Sequence, residues 1–115
     1  MPREFSRSVR IAESIKRVLA EPVMRAGRDG GIGMLTLTRV IVASDLSTAR
    51  VLVSAFSVPE GRSPLDRLKD MRPLMRQLIA RELQLKKIPI IYVELDETMA
   101  TAARIGELLI DRNRE

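Results

Sequence analysis

Histidine, cysteine and tryptophan are all absent from this 115-residue chain. Without histidine and cysteine the usual zinc ligands are gone, and so are the Ser/His and Cys/His nucleophile pairs and the commonest general base. No disulfide can form, so the core must hold the fold, and at this length one domain over residues 1–115 is expected to bury about two-thirds of its unfolded surface. No apolar run approaches the ~20 residues that a spanning helix needs. Residues 1–20 alternate charged with apolar side chains and contain no continuous apolar core, so neither a signal peptide nor a membrane partner is expected. A cytoplasmic, reducing compartment is the expectation.

What is present is charge of one sign in one place. Twenty basic residues face fifteen acidic ones, a net charge of +5, and the sequence pI is near 10.4. Between Arg62 and Lys87 stand Arg62, Arg67, Lys69, Arg72, Arg76, Arg81, Lys86 and Lys87 against Asp66, Asp70 and Glu82, so the rest of the chain is neutral. All the cations except Lys16, Lys69, Lys86 and Lys87 are arginine, whose planar fork matches phosphate oxygens in pairs. A nucleic acid is the expected partner. The aromatic content narrows the mode of contact. Only Phe5, Phe56 and Tyr92 are present, and strand patterning assigns Phe56 and Tyr92 to the core, which leaves no platform for stacking single-stranded bases. Recognition of structured RNA by shape and phosphate is therefore expected in place of a sequence code.

The pattern of apolar residues gives an αββααβα order. Ile11, Ile15, Val18 and Leu19 share a helical face opened by the candidate caps Ser6 and Ser8, with Pro22 marking its end. Gly27 to Gly33 reads as a flexible loop. Leu35–Val42 and Ala49–Phe56 read as a hairpin turned by Ser44, Asp45 and Ser47. Leu65, Leu68, Met71 and Leu74 step by threes, and the stripe restarts at Leu74, Met75, Leu78 and Ile79, so two helices broken near Pro73 fit better than one. Ile88–Leu95 is the third strand, with Pro89 at its start. Asp96 or Thr98 caps a last helix through Met99, Ala102, Ile105 and Leu109.

That order, with these residues in it, resembles the ribosome-binding factor A family of bacteria. The likeness is carried by Thr36-Leu37-Thr38-Arg39-Val40, the Ser44-Asp45-Leu46 turn before Ala49-Arg50-Val51-Leu52-Val53-Ser54, Leu74-Met75-Arg76, Ile88-Pro89, and Asp96 before a helix with Arg104-Ile105 and Leu108-Leu109. It implies an α+β, type II KH-like domain of αββααβ order with a further C-terminal helix, its kinked central helix pair packed on a three-stranded sheet. In the family an Ala-x-Gly kink replaces the Gly-x-x-Gly loop of KH domains. Here the kink aligns with Met71-Arg72-Pro73, which departs at both named positions. Proline at the first position of a helix gives up an amide that has no intrahelical partner anyway, so Pro73 is expected to open the second central helix, with Arg72 extended before it and aimed outward. The resemblance also implies a monomeric, non-catalytic assembly factor without cofactors. Its partners would be the small ribosomal subunit and its precursors, and its contacts with 16S ribosomal RNA during late maturation would include the 5′-terminal helix region. It would be absent from translating ribosomes and matter most in the cold.

The candidate RNA-binding residues fall in three groups. Lys69, Arg72 and Arg76 lie at i, i+3 and i+7 on one side of the kinked pair. Lys86 and Lys87 sit in the turn after it, and Arg7, Arg10 and Arg17 share a face of the first helix. A solvated helix face would look similar but would carry more acids among its bases; Glu4 and Glu13 dilute the first helix in that way. Gly27-Arg28-Asp29-Gly30 spells the KH loop but precedes a strand, where a phosphate clamp needs the amino end of a helix. Glu94 and Asp96 stand two apart, a spacing that a metal-dependent RNA hydrolase could use, whereas Asp96 as a helix cap and Glu97 in a first turn need no catalysis. A KH-like binder of another structured RNA, and a basic module docking an acidic protein, are the other readings.

Overall fold

The computed structural model describes residues 3–97. They run α1 (Arg3–Asp29), β1 (Met34–Val42), β2 (Thr48–Phe56), α2 (Pro64–Asp70), α3 (Arg72–Leu83) and β3 (Ile90–Leu95), the expected αββααβ order. The further helix expected after Asp96 lies outside the described residues. The sheet order is β1-β2-β3. β1 and β2 form an antiparallel hairpin, and β3 runs parallel to β2, because the α2–α3 pair supplies the crossover that parallel neighbours require. No helix among the described residues is long and apolar enough to cross a membrane.

α1 is longer than its sequence suggests, because Pro22 lies inside it. A proline in a helix interior costs about 3 kcal/mol. The core stripe of Ile15 and Leu19 nevertheless continues through Val23 and Ala26, all buried, and full burial of one valine alone stabilises by ~1.5–3 kcal/mol. Packing against β1 therefore carries the helix past the proline, and the Glu21–Arg25 ion pair bridges it at 2.5 Å. The helix ends where glycine permits a left-handed turn. Gly31 has φ 63°, its amide donates to Arg28 O at 3.3 Å, and the amide of Ile32 donates to Gly27 O at 2.9 Å. This is the Schellman pattern, with Ile32 buried beneath it. The segment expected as a loop is thus half helix.

One face of the sheet takes the helices. Leu35, Leu37, Ala49, Val51, Val53, Ile91 and Val93 alternate onto it and join Ile15, Leu19, Leu68, Met75 and Ile79 in the core. The other face carries Ile41, Arg50 and Tyr92 in one rung across the three strands. Tyr92 is therefore 50% exposed, not part of the core, and Phe56 is half-buried at the end of β2. The hairpin turn is the expected one, with the Asp45 carboxylate accepting from the Ser47 amide at 3.1 Å and hydroxyl at 2.6 Å. β1 bulges between Leu37 and Arg39. There the Thr38 hydroxyl donates to Asp96 Oδ2 at 2.5 Å, tying β1 to the residue that follows β3. β3 begins at Ile90, two residues later than expected, since Pro89 has no amide for the ladder; the first bond is Ile90 N–H to Ser47 O at 2.9 Å.

Candidate nucleic-acid interface

The kink is built by a buried methionine and a proline together. Ser63 caps α2 by accepting the Asp66 amide at 3.2 Å, and α2 runs to Asp70, where Met71 both ends it and begins α3. Met71 is buried, with φ −81° and ψ −9°. Its amide reaches Arg67 O at 3.2 Å and Leu68 O at 3.1 Å, while its carbonyl accepts the Met75 amide at 2.9 Å. The chain thus stays coiled through the joint. Arg72 is the first residue of α3 and Pro73 the second, which corrects the expectation of an extended Arg72 ahead of a helix opened by Pro73. In an unbroken helix the amide of residue 73 would donate to Lys69 O. Proline cannot, and Arg72 Nε turns back to donate to that carbonyl at 3.1 Å. Arg72 is exposed, but one of its donors serves the kink.

Beside the kink lies a cavity of about 520 Å³ between the helix pair and the start of β3. Ile88, Pro89, Ile90 and Ile91 form an apolar side, and Lys69, Arg72 and Arg76 with Asp70 and Pro73 form the rim. The structure therefore brings together the three cations that the helical spacing grouped. Sequence reasoning misses the apolar side of the site; its signal is the Ile88–Ile91 run, which sequence alone assigns wholly to a strand. Lys86, Lys87 and Arg7 line a second cleft, of about 160 Å³, which shares Pro89 with the first. Arg7 and Arg10 line a third, of about 280 Å³. Arg17, although exposed on α1, lines none of these clefts.

The pattern of neutralisation separates these cations from others. Arg25 pairs with Glu21, Arg28 with Asp29, Arg50 with Glu94 and Arg81 with Glu82. Lys69, Arg72, Arg76, Lys86, Lys87, Arg7 and Arg10 form no salt bridge among the described residues, and neither do Lys16, Arg17, Arg39 and Arg62; the clefts distinguish the first seven. Arg67 behaves differently again. Its Nε is buried without a hydrogen-bond partner among the described residues and packs over Gly30, at the carbonyl end of α1, where the helix dipole favours a cation.

The carboxylates considered for metal chemistry are already engaged. Arg50 grips Glu94 through Nε at 2.6 Å and a terminal nitrogen at 2.9 Å. Those hydrogen bonds hold the Glu94 carboxyl below its ordinary range and raise the Arg50 guanidinium above its own. Asp96 accepts from Thr38, and Asp45 is held low mainly by the Ser47 hydroxyl. Among the described residues no group of three or more acidic, histidine or cysteine side chains could hold a metal ion. The Gly27-Arg28-Asp29-Gly30 string occupies the carboxyl end of α1, opposite in polarity to a phosphate clamp.

Residues 7–109 match the family model described as ribosome-binding factor A. The chain is 34% identical over 113 residues to the ribosome-binding factor A of Aliivibrio fischeri strain MJ11, an alignment covering 96% of this chain and 84% of that protein. With that of Cellvibrio japonicus strain Ueda107 it shares 32% over 115 residues, 97% of this chain and 84% of that one. The crystal structure of ribosome-binding factor A from Thermus thermophilus superposes with a TM-score of 0.63 at 26% identity, over 76% of this chain and 94% of that one. A homology model of the Thermus thermophilus protein, fitted into a cryo-electron microscopy map of its complex with the 30S subunit, gives a TM-score of 0.61 at 27% identity, over 74% of this chain and 90% of that one.

Proposed function

This chain belongs to the ribosome-binding factor A family, and from that premise we propose that it is a non-catalytic assembly factor of the small ribosomal subunit. It binds 16S ribosomal RNA during late maturation, the 5′-terminal helix region among its contacts. It acts in the cytoplasm as a monomer, leaves before translation, and is needed most in the cold. The observation that carries this reading is the kink cleft, where Lys69, Arg72 and Arg76 stand without a salt bridge among the described residues around an apolar wall. Such a rim neutralises phosphates and releases their counterions, and it supplies affinity without a base code. The folded RNA provides the shape, and the kink provides the fixed spacing of the charges.

Sedimentation of a gently lysed cell extract tests this. The protein is expected with free small subunits and their precursors, and depleted from whole ribosomes and polysomes. Even distribution through the gradient, or migration only as free protein, would count against the assignment.

A further inference from the structure

Two segments far apart in sequence converge on a second cationic surface. The first turns of α1 bring Arg7 and Arg10, and the turn between α3 and β3 brings Lys86 and Lys87, to adjoining clefts that share Arg7, Ile11 and Leu85. The turn is sharp because Gln84 takes φ 49°, which ends α3 and leaves the two lysines exposed behind the half-buried Leu85. These four cations form no salt bridge among the described residues, in contrast to Arg25, Arg28, Arg50 and Arg81. The acid lining these clefts, Asp45, accepts from the Ser47 amide and hydroxyl and also feels the charge of Lys87, without a salt bridge between them.

We propose that this surface holds a second stretch of the backbone of the same RNA molecule, so that the chain grips its RNA at two points. The proposal rests on the kink cleft being an RNA site. Pro89 lines both the kink cleft and the second cleft and is fully buried, so the two clefts flank one fixed wall. A backbone leaving the kink cleft past that wall meets Lys86, Lys87 and Arg7, which line its other side. With the kink cleft taken as an RNA site, that adjacency selects the same RNA over an acidic protein surface. Arg76 and Leu83 are seven residues apart in α3, about 10 Å along the axis, so a strand must extend by about three rises of ~3.4 Å to reach from one surface to the other. Joining two sites by one ligand raises affinity through effective concentration, which makes the grip sensitive to RNA length.

Fluorescein-labelled RNA hairpins with stems of increasing length, titrated at one salt concentration, test the proposal. Lys86→Ala with Lys87→Ala is expected to match the parent on the shortest hairpin that binds measurably, and to fall behind by about tenfold on those long enough to span both surfaces. Arg25→Ala with Arg28→Ala, which removes the same charge elsewhere, is expected to follow the parent at every length. The proposal is overturned if the lysine pair follows the parent throughout, the outcome if the surface serves an acidic protein, or if the two pairs fall equally, the outcome of net charge alone. Lys69→Ala with Arg76→Ala examines the underlying reading separately. It is expected to weaken all lengths, and no loss from it would remove the kink site and with it the two-point grip, whatever the lysine pair does.

Discussion

At the scale of single residues, identity is legible in the sequence and pairing is not. The arginine excess points to phosphate before any geometry is known, yet the grip of Arg50 on Glu94 depends on a register that places Arg50 opposite Tyr92. The same register exposes Tyr92. Ile90, Ile91, Tyr92 and Val93 are all apolar or aromatic, so strand parity cannot be read from them, and the pairing of Ala49 with Ile91 and Val51 with Val93 decides it. Gly27 reads as loop flexibility in the sequence, whereas its role is close approach. A Cβ there would stand 2.7 Å from both Gly33 O and Leu35 Cγ, so α1 and the start of β1 can meet only at a residue without a side chain. Gly27→Ala gains about 1 kcal/mol of helix propensity but overpacks a contact with backbone, which costs roughly 1–3 kcal/mol. The expected outcome is a net loss of stability, read as a lower denaturant midpoint at an unchanged slope. A higher midpoint would mean that β1 can yield at this point.

At the scale of elements, the order of helices and strands follows from periodicity and from glycine and proline punctuation, and two departures from it concern prolines. Pro22 reads as a stop because its local cost is visible in sequence, whereas the Val23 and Ala26 contacts that outweigh it are tertiary. Pro73 reads as the first residue of α3, one residue late, for a related reason: the buried Met71 that keeps the joint coiled is not distinguishable from any other stripe residue. The kink itself makes a testable element. In Pro73→Ala the new amide can donate to Lys69 O, displacing Arg72 Nε and letting α2 and α3 merge. Helical circular dichroism is expected to rise and RNA affinity to fall, because the cleft lies beside the bend, between the helix pair and the start of β3, and a straight joint alters its shape. Pro73→Gly also restores the amide but tolerates the bend, and is expected to lose less binding. If the alanine variant binds as tightly as the parent with no gain in helicity, Met71 and not Pro73 sets the kink.

At the scale of the whole molecule, net charge and its placement make different predictions. A net charge of +5 would attract any polyanion in proportion to total charge. In the structure, however, Arg25, Arg28 and Arg81 already face acids, while Lys69, Arg72 and Arg76 share one rim without a salt bridge among the described residues. Binding through phosphate makes log affinity fall linearly with log salt, and each contacting cation removed lowers the magnitude of that slope by about one. The triple change of Lys69, Arg72 and Arg76 to alanine is therefore expected to reduce the slope by about three and to weaken binding to a folded 16S fragment, with cooperative melting retained because these side chains are exposed. Within that set Arg72→Ala is expected to differ from Lys69→Ala by also relaxing the kink, since it removes the donor to Lys69 O. The matched triple of Arg25, Arg28 and Arg81 removes the same formal charge from neutralised positions and is expected to leave the slope nearly unchanged. Equal slopes for the two triples would show that the protein answers to its total charge, and the rim at the kink would lose its claim to be the site.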